Sequence, residues 1–180
     1  EDTNEIVKAS IHGGINWFDT AEIYGNGKSE QGLSNALKKI GPQSSEIIIA
    51  TKWWPIGRRA SSIKRTIHKR LDNLGGYPIT LYQVHNPLGF SSVEKEMNNM
   101  ADLIEEGKIK YIGVSNFNST RMKRAYEALC YLHLVELFGM DAPWTHASKY
   151  TGEIVTRARA AGDNDNVFVL VVRSCEALHD

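Results

Sequence analysis

The chain has 180 residues, 42% of them hydrophobic, with 21 Lys+Arg balanced by 21 Asp+Glu. That length allows one domain with a sizeable core, and a formal net charge of zero supplies no field to recruit nucleic acid or an anionic membrane. Cys130 and Cys175 are too few and too far apart for a disulfide framework or a zinc site, so no metal and a reducing, cytoplasmic setting are expected.

The first residues, Glu1-Asp2-Thr3-Asn4-Glu5, are acidic and unlike a signal peptide, and no apolar run approaches the length of a membrane span. Ile6, Ala9, Ser10 and Ile11 already read as helix, so the chain is expected to begin inside an element. Residues 15–19 form the first expected strand. The glycine-rich loop Gly25-Asn26-Gly27 follows, then a helix over about 29–40 that Gly41-Pro42 stops.

Residues 47–51 are an apolar run of the kind buried on both faces of a parallel sheet. The next helix is expected to be capped by Ser61 or Ser62, with Ile63, Ile67, Leu71 and Leu74 on one face, and to end at Gly75-Gly76. Residues 79–84 form a strand. Ser91-Ser92 then introduces a helix whose Val93, Met97, Met100 and Ile104 share a face, stopped by Gly107. A strand over 110–114 leads into a helix carrying Met122, Ala125 and Leu129.

Four strands, each followed by a helix, make an α/β fold with a parallel sheet over residues 1–130. Beyond 130 the rhythm fails. Residues 131–138 are apolar without a clean period, 141–146 read as loop, 151–161 as a polar helix, 162–166 as a turn, and 167–172 as a strand. Residues 131–180 are therefore set apart as a divergent tail of uncertain structure.

Four polar residues stand where, or just after where, apolar, β-rich runs end: Asp19, Tyr24 five residues on, Lys52 and His85. Asp19, Lys52 and His85 are 33 residues apart, and Ser115-Asn116 begins 30 residues after His85. A period of that size is a βα unit repeating along a parallel sheet, which gathers functional groups at the carboxyl ends of its strands.

The types also suit one another. A phenol, whose ordinary pKa is near ~10, is a poor proton donor at neutral pH unless a nearby cation favours its ionised form. An Asp can hold a Lys charged and in place, and a His can orient a carbonyl oxygen. The set fits protonation of an oxygen on which charge develops, as in reduction of a carbonyl by hydride. No side chain donates hydride, so a nicotinamide or flavin is required.

Taken singly, each residue has a plain reading: a cap for Asp19, packing for Tyr24, solvation for Lys52, a satisfied core site for His85. Their joint order and spacing argue for the functional one. Arg58, Arg59, Lys64, Arg65, Lys69 and Arg70 are read instead as the solvated outer face of a helix. Gly25-Asn26-Gly27 lacks the third glycine of a dinucleotide fingerprint and is read as a flexible loop.

The segment Gly14-Ile15-Asn16-Trp17-Phe18-Asp19-Thr20-Ala21-Glu22-Ile23-Tyr24-Gly25 resembles the first signature of the aldo-keto reductases. Ala50-Thr51-Lys52, Leu81-Tyr82-Gln83-Val84-His85 and Gly107-Lys108-Ile109-Lys110-Tyr111-Ile112-Gly113-Val114-Ser115-Asn116-Phe117 resemble the next three, in order and spacing, over about residues 5–130. The resemblance implies a (β/α)8 TIM barrel that binds NADP(H) in extended form and reduces an aldehyde or ketone to an alcohol. It implies that Tyr24 is the general acid, that Lys52 and Asp19 tune it, and that His85 positions a small carbonyl substrate. It further implies that Ser115 and Asn116 hold the nicotinamide carboxamide and that Trp54 lines the substrate pocket.

A (β/α)8 barrel usually takes about 250 residues, so a partial barrel with incomplete closure is expected here. By the resemblance the first strand would precede Glu1, and the later cofactor-binding strands are not recognisable after Leu129. Exposed sheet edges then favour self-association. Lys149, Arg157, Arg159 and Arg173 form no recognisable pocket for a 2′-phosphate, so weak NADPH binding by these 180 residues is expected. Gly162-Asp163-Asn164-Asp165-Asn166 can be encoded by codons that, read one nucleotide later, spell Gly-Ile-Thr-Ile-Met, which resembles the start of the family's seventh strand; a frame change near residue 130 would account for the tail. The alternatives to an active reductase are a non-catalytic regulatory subunit and an inactive fragment.

Overall fold

The computed structural model describes residues 2–41, 47–138 and 172–173. The elements in order are α1 (Thr3–His12), β1 (Trp17–Asp19), a 3-10 turn (Tyr24–Gly27), α2 (Lys28–Ile40), β2 (Ile48–Trp53), α3 (Ser61–Asn73), β3 (Ile79–Val84), α4 (Val93–Glu105), β4 (Ile109–Val114), α5 (Ser119–Phe138) and β5 (Val172–Arg173). β1 to β4 pair in sequence order and in parallel, as the alternation of apolar runs and amphipathic helices predicts. β5 pairs antiparallel with β4, setting Val172 beside Ile112 and Arg173 beside Tyr111. The expected 141–146 loop, 151–161 helix and 162–166 turn, with Lys149, Arg157 and Arg159, lie outside the described residues.

Strand alternation sorts the side chains onto two faces. Phe18, Ile49, Trp53, Tyr82, Val84, Ile112 and Val114 pack with Val7, Leu37, Ile63, Ile67, Met97, Met100 and Ala125 of the five helices in one core. The intervening positions, Asp19, Lys52, Leu81 and Gln83, share the opposite face and line a cavity. Trp53 is wholly buried and its indole N–H donates to Ser62 Oγ at 3.0 Å. Truncating such a side chain costs about 3–5 kcal/mol. β1 has a partner on one side among the described residues, and Ile15 and Trp17 beside that edge are about half exposed.

Several local expectations need correction. β1 starts at Trp17 rather than 15, because Gly14 turns with φ +83° and the Ile15 N–H is taken by the Ser10 carbonyl at 2.9 Å. Neither Ser61 nor Ser62 caps α3: its N-cap is Ala60, whose N–H is held by Ser91 Oγ at 2.9 Å, while Ser62 serves Trp53. Ser92 does cap α4, accepting from the Lys95 N–H. Gly25-Asn26-Gly27 belongs to a 3-10 turn with successive φ values of 58°, 55° and 87°. α5 continues through 131–138, whose leucines and glutamate are good helix formers.

Candidate active site

The parallel register carries the chain past the strand ends and sets the polar residues side by side. The Thr20 N–H donates to the Ala50 carbonyl at 2.8 Å and the Glu22 N–H to the Lys52 carbonyl at 3.2 Å, which extends the β1–β2 ladder. The His85 N–H donates to the Trp53 carbonyl at 3.0 Å, and the Ser115 N–H to the Val84 carbonyl at 2.9 Å. These bonds carry the ladder past Asp19, Lys52, His85 and Ser115, and the chain reaches Tyr24 in the turn after β1.

Asp19, Tyr24, Lys52, His85, Ser115 and Asn116 line one cavity of about 410 Å3, together with Trp17, Leu81 and Gln83. The last three escaped the sequence reading, although the period of two along β1 and β3 placed them on the same face as Asp19 and His85. Trp54 is absent from that lining. Its ring instead meets His85 edge-on, with centroids 5.2 Å apart.

Lys52 is nearly buried, and its Nζ donates to Asp19 Oδ2 at 2.6 Å and to the Thr20 carbonyl at 2.9 Å. The same ammonium stands 5.5 Å from the centre of the Tyr24 ring, within the range of a cation–π contact. Tyr24 is 43% exposed and meets His85 edge to face, with centroids 5.8 Å apart at 85°. His85 therefore lies between two aromatic rings.

Burial holds the His85 pKa below the ordinary histidine value of 6.5, and the Lys52 cation pushes it further down, opposed by Asp19 and Glu22. The ring is neutral at pH 7, with one N–H donor and one acceptor. Its Nδ1 is buried without a hydrogen-bond partner among the described residues. Asn116, in the left-handed region at φ +61°, donates from Nδ2 to the His85 carbonyl at 2.8 Å and to Ser115 Oγ at 3.1 Å. The Ser-Asn pair is thus braced against the histidine.

Arg58 and Arg70 depart from the solvated face expected of them. Glu22 is only 4% exposed, and its carboxylate takes Arg58 Nη1 on one oxygen and Arg70 Nη1 at 2.7 Å on the other. Arg70 Nε also lies 2.9 Å from Glu30 Oε2, an ion-pair contact whose angle is off a hydrogen bond. Glu30 accepts from Thr51 Oγ1 at 2.7 Å and Asn73 Nδ2 at 2.8 Å. The basic run looked solvated because its acidic partners lie 36 to 48 residues away in the chain.

The aldo/keto reductase family profile matches residues 1–137. The chain belongs to this family. Aldo-keto reductase YhdN of Bacillus subtilis is 34% identical over 140 residues, covering 73% of this chain and 42% of that protein. The thermostable aldo-keto reductase Tm1743, solved with the inhibitor epalrestat, superposes with a TM-score of 0.64 at 31% identity over 69% of this chain and 45% of its own. An aldo-keto reductase from Klebsiella pneumoniae, solved with NADPH, has a TM-score of 0.63 at 24% identity over 70% of this chain and 43% of its own. The chain spans less than half the length of these relatives. Its parallel strands and alternating helices correspond to part of the aldo-keto reductase barrel. No helix among the described residues is long and apolar enough to cross a membrane.

Proposed function

We propose that this chain carries the carbonyl-reducing centre of an NADP(H)-dependent aldo-keto reductase that converts a small aldehyde or ketone to its alcohol. The observation that carries the reading is the gathering of Asp19, Tyr24, Lys52 and His85 with Ser115 and Asn116 around one cavity at the strand ends. A cavity of about 410 Å3 lies in the range of ordinary ligand pockets.

The residues present fit a nicotinamide. The Ser115 hydroxyl and Asn116 amide supply a donor and an acceptor for a carboxamide, and they are already placed by the Ser115 N–H on the Val84 carbonyl and the Asn116 Nδ2 on the His85 carbonyl. The bound cofactor supplies hydride, which no side chain can.

The chain's own groups do the rest. Tyr24 donates its phenolic proton to the substrate oxygen as negative charge grows there. Lys52, steadied by Asp19, stabilises the phenolate left behind. Neutral His85 orients the carbonyl by hydrogen bond without competing as an acid. Leu81 and Trp17 give the cavity apolar walls that favour exclusion of water.

The test is Tyr24→Phe in the purified chain, with carbonyl reduction followed by NADPH absorbance and cofactor affinity by fluorescence quenching. Loss of a general acid lowers the rate by about 10²–10⁴-fold, with the NADPH affinity preserved. Unchanged turnover, or loss of binding in place of turnover, overturns the role.

A further inference from the structure

We propose that Glu22 and Arg58 are positioning residues that hold the Tyr24 wall and the His85 wall of the cavity at a fixed separation. The inference rests on reading the cavity as a reductase site and adds to that site two residues from outside its lining.

Tyr24 is 43% exposed, with its ring against His85 and under the Lys52 ammonium. Its backbone is carried by the turn that bears it. That turn has residues 25, 26 and 27 all in the left-handed region, and it is closed by the Tyr24 N–H to Ala21 at 3.0 Å, the Asn26 N–H to Ile23 at 3.3 Å and the Lys28 N–H to the Tyr24 and Gly25 carbonyls. Two residues before the tyrosine, Glu22 fastens it twice. Its N–H reaches the Lys52 carbonyl, and its buried carboxylate is clamped between Arg58 and Arg70.

Arg58 links this turn to the other wall. While its guanidinium holds Glu22, its carbonyl accepts the Phe90 N–H at 2.8 Å. Phe90 lies in the β3–α4 loop, which begins at His85 and is tied at Pro87 to Arg121 Nη1 at 2.6 Å. One residue thus joins the loop that presents Tyr24 to the loop that follows His85. The carboxylate and guanidinium charges compensate each other, so this link adds no net charge to the cavity. It adds distance control, and catalysis is sensitive to misplacement of about 1 Å.

The experiment uses the full chain and the variants Arg58→Met, Arg58→Lys and Glu22→Gln. Arg58 is partly exposed, so Arg58→Met reads out the link even where Glu22→Gln, which strands Arg70, fails to fold. The first measurement is the ring-to-ring nuclear Overhauser effect between Tyr24 and His85, assigned with Tyr24→Phe and His85→Gln, and it needs no activity. In Arg58→Met the cross-peak is expected to vanish while circular dichroism shows a folded chain. Turnover should fall about ten- to hundredfold with the KM for NADPH unchanged, and Arg58→Lys should recover part of both. An intact cross-peak in folded Arg58→Met overturns the proposal, as does lost turnover with an intact cross-peak. Wild-type and Tyr24→Phe chains that turn over alike overturn the reductase reading alone, since the cross-peak still reports on the link.

Discussion

Lys52 and Asp19 form an ion pair of 2.6 Å between adjacent parallel strands, with the ammonium nearly buried and the carboxylate half exposed. The asymmetry decides what each substitution does. Asp19→Asn leaves a buried cation without its counter-charge, with neutral oxygens for acceptors, and should cost about 1–3 kcal/mol of stability. Lys52→Met removes the charge and its burial cost together, so it should be nearly neutral in stability while lowering turnover by at least about tenfold. Urea midpoints and NADPH oxidation rates check both. Equal stability losses would show that the pair is held by something other than the buried ammonium.

Glu96 gives a pH dependence whose sign follows from burial. It is 2% exposed on α4, and burial raises its carboxyl from the ordinary 4.5 to about 7 against a smaller pull from Arg121. Its Oε1 fills the space beside Gly89, where a Cβ would stand 2.5 Å away. Because the folded value lies above the unfolded one, the folded chain takes up a proton first. Stability therefore rises as pH falls from 8 through about 7, and the gain is complete below 4.5. Glu96→Gln should be more stable than wild type at pH 8, by up to about 3 kcal/mol, with the advantage gone at pH 4. Urea unfolding at those two pH values measures it.

The strands, their order and the gathering of Asp19, Lys52 and His85 at one sheet edge were legible because each depends on local pattern. Apolar runs mark β2 and β3, and Asp19, Lys52 and His85 stand at strand ends where a parallel sheet brings its carboxyl termini together. The Glu22–Arg70–Glu30 network was not legible. Its members sit on helix and loop positions that look polar in sequence, and their burial exists only once α2, α3 and the β1–α2 turn meet. Trp54 was legible from the resemblance alone, and its ring meets the cavity residue His85 edge-on at 5.2 Å.

Gly27 tests how tightly that network supports the Tyr24 turn. It adopts φ +87° as the N-cap of α2, and a Cβ there would collide with Asn73 Nδ2. Gly27→Ala therefore combines left-handed strain of about 1–2 kcal/mol with displacement of the amide that donates to Glu30. A charge-assisted hydrogen bond is worth about 1.5–3 kcal/mol, so a total loss of about 2.5–5 kcal/mol is expected. Denaturant unfolding with an unchanged slope would confirm a folded-state effect. A loss below about 1 kcal/mol would mean that the turn relaxes freely.

The cofactor reading separates from the proton-donor reading at Ser115 and Asn116. Asn116 sits at φ +61°, where alanine would add strain of its own, whereas glycine accepts that backbone. Asn116→Gly therefore removes the amide and its bonds to the His85 carbonyl and Ser115 Oγ with little backbone cost. Ser115→Ala removes the neighbouring hydroxyl. Each lost neutral hydrogen bond is worth about 0.5–1.5 kcal/mol, or about two- to tenfold in the NADPH dissociation constant. The double variant should approach the product of the two unless the residues act as one unit. Tyr24→Phe leaves that constant alone and lowers turnover. Fluorescence quenching titrations on the four variants and the wild type give the comparison. If Asn116→Gly and Ser115→Ala bind NADPH as wild type does, the nicotinamide is held elsewhere.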